Sequence, residues 1–153
     1  MTNAGNAVFD VRRGTFTLTS GTNTADQFLA TNGGNSVVTY NARQATVATT
    51  TTTITNDAVF TVALGTNCQP WVVSGNLALG AVLNITDAGG FTNGTYPLFT
   101  YGGTLTYTGI TLGLAPQGYR IAINTNIVGQ VNLVASPAPR RSWLSNPLTL
   151  SIL

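Results

Sequence analysis

Gly14-Thr15-Phe16-Thr17-Leu18-Thr19 alternates polar and apolar residues with a period of two, which puts Phe16 and Leu18 on one side of an extended chain and three threonines on the other. Much further along, Gly103-Thr104-Leu105-Thr106-Tyr107-Thr108 has the same pattern without copying it. Self-similarity that drifts in this way suits stacked coils, in which each rung buries its apolar side only against its neighbours. The pair of segments therefore decides the reading. The chain is all-β, with a parallel β-helix-like solenoid first and a jelly-roll or β-sandwich as the alternative.

Outward from these segments, strand periodicity continues. Val8-Phe9-Asp10-Val11 precedes Gly14, and Phe28-Leu29 precedes the loop Thr31-Asn32-Gly33-Gly34-Asn35. Val37 to Tyr40, Ala45 to Thr55 with threonine at every position from 49 to 53, and Ala58 to Leu64 follow. Trp71-Val72-Val73, Val82 to Thr86, Tyr96 to Tyr101, Tyr119 to Ile123 and Gln130 to Val134 complete the series. Turns of Gly, Asn and Asp separate them, and Asn93-Gly94 is the strongest short turn signal. Residues 1–135 read as one repetitive β domain.

Residues 136–153 differ. Ala135-Ser136-Pro137-Ala138-Pro139-Arg140-Arg141 opens a Pro-rich linker, and in the apolar tail Leu148, Leu150 and Ile152 alternate with Thr149 and Ser151. That tail is expected to be a last strand, paired with its own domain or added to the sheet edge of a second copy. An uncovered apolar strand would aggregate.

Composition explains how such a chain stays wet. Apolar residues make up 43% and charged residues 7%, against roughly a quarter charged in a typical soluble domain. There is no His, Lys or Glu. Thr, Asn, Ser and Gly take their place, and ladders of Thr and Asn hydroxyls and amides suit the surface of a stack. Six arginines and four aspartates give a net charge of +2. The pairs Arg12-Arg13 and Arg140-Arg141 are too sparse for the run of phosphate contacts that nucleic acid requires. No stretch has the 18 or so apolar residues that span a membrane. The segment after Met1 has neither the basic start nor the apolar run of a signal peptide, so a secreted form is expected to be a piece of something larger or to have lost its leader.

The block Gly75-Asn76-Leu77-Ala78-Leu79-Gly80, Leu83-Asn84-Ile85-Thr86-Asp87, Gly94-Thr95-Tyr96-Pro97-Leu98-Phe99-Thr100-Tyr101-Gly102-Gly103 and Gly129-Gln130-Val131-Asn132-Leu133-Val134 resembles, in that order, the C-terminal closing block of autotransporter-associated β-strand repeat proteins. The resemblance covers about residues 75–134. It implies a right-handed β-solenoid passenger, extracellular or on the surface of a bacterial cell. It implies no catalytic set. The tail from Pro137 departs from the sorting or anchoring segment that such proteins often carry.

Chemistry is narrowly bounded. A Ser or Cys nucleophile needs a base, almost always His, so Cys68 reads as a small, half-buried residue. One Cys and four scattered Asp do not make a transition-metal site; no metal and no cofactor are expected. Calcium on Asp87 with the Ala88-Gly89-Gly90 carbonyls is the weaker reading beside Asp87 as a turn former. The sequons Asn84-Ile85-Thr86 and Asn93-Gly94-Thr95 carry no weight in so Thr- and Asn-rich a chain. Glycoside hydrolysis runs on two carboxyl groups alone, so Asp10, Asp26, Asp57 and Asp87 are the candidate catalytic residues if the protein is an enzyme. Trp71, Tyr96, Tyr101, Tyr107 and Tyr119 are candidates for stacking on sugar rings. The expected function is a non-catalytic structural, adhesion or display segment of a secreted bacterial surface protein. A carbohydrate-active domain and a self-assembling filament or shell subunit are the alternatives. The matching partners are polysaccharide or further copies of the chain through its C-terminal strand, with no nucleic acid.

Overall fold

The computed structural model describes residues 7–139, so the tail beyond Pro139 and its expected last strand lie outside the described residues. The chain is a β-solenoid of about four turns, with 64% of its residues in strands and no α-helix among the described residues. The strands are β1 (Val8–Asp10), β2 (Gly14–Leu18), β3 (Gly21–Ala30), β4 (Ser36–Asn41), β5 (Ala45–Leu64), β6 (Trp71–Val73), β7 (Leu77–Asp87), β8 (Gly94–Tyr101), β9 (Leu105–Tyr107), β10 (Thr111–Leu112), β11 (Tyr119–Asn124) and β12 (Gln130–Pro137). The solenoid, not the sandwich, is the architecture.

Its winding follows from the parallel ladders. On face A, Phe9, Phe28, Thr52, Leu77 and Leu105 are successive partners in β1, β3, β5, β7 and β9. On face B, Phe16, Val38, Phe60, Leu83 and Leu112 are partners in β2, β4, β5, β7 and β10. Face C stacks the first half of β3 on the start of β5, then β6 and β8. Each turn visits C, A and B.

β5 shows how sequence turns corners. Its 20 residues cross all three faces without leaving extended structure. Ala45, Val47 and Thr49 are buried on face C, Thr52 and Ile54 on face A, and Ala58, Phe60, Val62 and Leu64 on face B. Alternation is strict within each face and slips phase at each corner. At the A–B corner Asn56 and Asp57 adopt φ of 56° and 58°, a left-handed conformation that Asn and Asp tolerate better than other residues with a side chain. A branched residue at either position would be strained.

The core is an aromatic column along the axis. Ring centroids run Phe9 to Phe16 at 5.1 Å, Phe16 to Phe28 at 5.5 Å, Phe28 to Trp71 at 4.8 Å and Trp71 to Phe99 at 5.8 Å, with Tyr40 and Phe60 packed on Trp71. Buried hydroxyls of the threonine run complete it. Trp71 Nε1 donates to Thr49 Oγ1 at 3.1 Å, and that oxygen lies 2.6 Å from Thr52 Oγ1. The pair lets two threonines occupy core positions with their polar atoms satisfied. A hydroxyl ladder is also present outside, where Thr46 Oγ1 donates to Thr22 Oγ1 at 3.2 Å.

The winding then changes character. β8 is parallel to β6 but antiparallel to β12, which is antiparallel to β11. β12 runs on through Pro137, with Ser136 and Pro137 opposite Arg120 and Tyr119. Phe91 stacks on Tyr96 at 4.9 Å and meets Tyr119 edge-on at 5.1 Å, forming a small second cluster beneath this hairpin.

Candidate functional site

The four aspartates are the natural place to look for chemistry, and each has a separate local setting. Asp10, at the end of β1, accepts a 2.6 Å hydrogen bond from Arg12 Nε, an exposed ion pair worth roughly 0–1 kcal/mol. Asp26, at the C–A corner, accepts from the Ala7 amide at 3.0 Å. Asp57 is exposed at the A–B corner. Asp87 ends β7, and its Oδ1 accepts from the Gly89 and Phe91 amides at 2.7 and 3.1 Å, the arrangement of a turn former.

No hydrogen bond or ladder pairing joins any two of these carboxylates. Across the ladders Asp10 faces Leu29 and Asp87 faces Leu64. The carbonyl of Ala88, one of the conceivable calcium ligands, is instead taken by Arg43 at 2.6 Å. Among the described residues no cluster of three His, Cys, Asp or Glu side chains could hold a metal ion.

Of the candidate sugar-stacking aromatics, Trp71 and Tyr96 are buried in the two ring clusters, Tyr101 and Tyr119 are half-buried, and Tyr107 is exposed on the last turn. Cys68 is half-buried. Burial pushes its thiol pKa up; a backbone hydrogen bond at Gly65 and the positive charge of Arg43 pull the other way and only partly offset it. The thiol donates to Gly65 O at 3.1 Å and accepts from Gly65 N at 3.0 Å. A thiol held protonated and bonded to its own turn is a poor nucleophile.

The faces themselves are a second kind of candidate. Apart from Asp10 and Arg120 on β11, every described charge sits in a corner or at the end of a face, where turns and not ladders hold the chain. The outer side of face B carries the rows Val37–Val59–Val82 and Thr17–Thr39–Thr61–Asn84, with no charge between them. Such a surface offers hydroxyls and methyl groups and no long-range field. An apolar cavity of about 190 Å³ also opens at the first turn beside Phe9, Phe16, Leu18, Phe28 and Val47.

No family model matches the chain, and no solved structure matches it. A curated relative does. The chain is 40% identical over 73 residues, 46% of its length, to the adhesin BmaC autotransporter of Brucella suis biovar 1 (strain 1330). The matched part spans about 2% of the length of that relative. The similarity relates part of this solenoid to autotransporter passenger-type proteins. Sequence reasoning did not single out Arg43 for any role. Its one signal is a glycine in each of the next two turns at the same corner, Gly65 and Gly89.

Proposed function

We propose that the chain is a non-catalytic structural, display or adhesion segment of a bacterial protein that is secreted or held at the cell surface. The observation that carries this reading is the separation of the four aspartates: three are engaged locally, none is joined to another, and no His, Lys or Glu exists to take over proton transfer. A dry aromatic column inside ladders of parallel strands gives a stiff body. Its faces are nearly uncharged, which suits contact with neutral surfaces over a wide range of salt. The similarity to an adhesin supports the same class of role.

We read residues 75–134 as the closing block of an autotransporter-associated β-strand repeat passenger. The support is that parallel winding gives way to antiparallel pairing inside that block. The whole is read as one repetitive domain whose final strand is β12, followed by a Pro-rich, apolar tail.

The test is incubation of the full chain with a panel of chromogenic glycosides and with a glycan array, beside a heat-killed control. The expected outcome is no turnover, strand-dominated circular dichroism and slow proteolysis. Hydrolysis above the control that disappears when an aspartate is changed to asparagine would overturn it. Specific retention on one glycan without turnover would keep the adhesive role and name its target.

A further inference from the structure

We propose that Arg43 is a clasp that makes three consecutive turns of the solenoid open together at the B–C corner. Arg43 follows β4, Thr66 follows β5 and Ala88 follows β7, so the three lie in successive turns of that corner. Arg43 Nε donates to Thr66 O at 3.0 Å and Nη1 donates to Ala88 O at 2.6 Å. One side chain thereby reaches carbonyls one and two rungs away, a span of about 10 Å at the usual strand spacing. The guanidinium has several donors in a fixed plane and can serve both at once, whereas an ammonium is a point charge.

The backbone leaves room for this reach. A Cβ on Gly65 would stand 2.2 Å from Gly89 O and 2.9 Å from Arg43 Cδ, and one on Gly89 would stand 2.5 Å from Arg43 Nη1. Gly89 also has φ +112°, a conformation that side chains rarely adopt. Elsewhere, single-rung links suffice. Asn32 and Asn56 donate to Arg12 O and Thr31 O, and Asn76 and Asn84 accept from the Thr104 and Leu114 amides, in every case between adjacent turns. These links join residues 20 to 30 apart in sequence, whereas Arg43 and Ala88 are 45 apart.

That difference has a thermodynamic meaning. A solenoid in which each turn touches only its neighbours behaves as a one-dimensional array and opens turn by turn. A contact from one turn to the second beyond it adds coupling that nearest-neighbour stacking lacks. This inference stands whether or not the surface-segment reading does.

Hydrogen exchange on the full chain tests it. The corner amides to follow are Thr66, bonded to Gly89 O at 3.2 Å, Gln69, bonded to Ala42 O at 2.7 Å, and Ala88, bonded to Leu64 O at 2.8 Å. In Arg43→Ala these should exchange about tenfold faster, the loss expected for charge-assisted bonds at an exposed site. The Thr104 and Leu114 amides should keep their wild-type rates. Arg43→Lys should fall between. The clasp is refuted if all five amides accelerate by one common factor, or if Thr66 and Ala88 do not change. Should the alanine variant fail to fold, wild-type exchange at both Thr66 and Ala88 in the lysine variant refutes it equally.

Discussion

The parallel body and the antiparallel end solve the same burial problem in different ways. In the body, a strand of three residues such as β6 is held because Trp71 packs among rings from other turns, with Thr49 bonding its indole nitrogen. At the end, β11 and β12 form a hairpin whose six-residue register is set by one local turn, over the small cluster of Phe91, Tyr96 and Tyr119. Body stability is thus shared among distant segments, while the end depends on contacts near in sequence or in one hairpin. A lesion in the body should spread. One at the end should stay local.

The largest expected effect is from Trp71→Ala. Trp71 is fully buried at the centre of the column, and its loss should cost about 3–5 kcal/mol. The denaturant midpoint should fall for probes in both regions; a fall below 1 kcal/mol, on the order of a surface change, would break the comparison. Gly65→Ala comes next, at about 1–3 kcal/mol, because its neighbour is backbone that must move. Thermal unfolding followed by circular dichroism measures it.

Tyr40 gives a pH test of the body. Burial, with a smaller contribution from Cys68, holds its pKa well above the ordinary 10.0. The unfolded chain therefore releases this proton at lower pH than the folded one. Stability from Tyr40 is fully present below about pH 10 and is lost as pH rises beyond it. Tyr40→Phe should flatten that alkaline fall in a urea-midpoint series, and at pH 7 should cost about 1 kcal/mol through lost bonds to Gln69 O and Ala45 O. Tyr96→Phe is its counterpart at the end. It removes the hydroxyl that bonds the Thr92 amide and carbonyl, at about 0.5–1.5 kcal/mol, and exchange should rise around Thr92 without spreading to the column. Asp57→Asn should be smallest, within about 0.5 kcal/mol by denaturant titration, since Asn also tolerates the left-handed corner.

Much of the body was legible because alternation within one face is a local signal. Thr15 to Thr19 and Ala58 to Leu64 show it directly. The number of residues per turn was hidden. Partners on face B lie 22, 22, 23 and 29 residues apart, from Phe16 to Val38, Phe60, Leu83 and Leu112, so no fixed repeat stands out. The threonine run gave no sign that Thr49 and Thr52 point inward, since what permits it is an indole more than 20 residues away. The lack of proton-transfer groups could be read from composition alone. The local settings of the aspartates could not, because their partners are mostly backbone amides, which every residue offers. Arg43 was opaque for the same reason: its targets are two carbonyls.

The near-constant separation of stacked partners bears on how such a protein can grow. Closing a loop costs entropy that rises with the logarithm of its length. Here each ladder contact closes a loop of one turn, 24 residues from Phe28 to Thr52 and 25 from Thr52 to Leu77. Adding turns would lengthen the molecule without lengthening any of those loops. Evolution can therefore extend this architecture by duplication while leaving the entropic barrier to laying down each further turn unchanged.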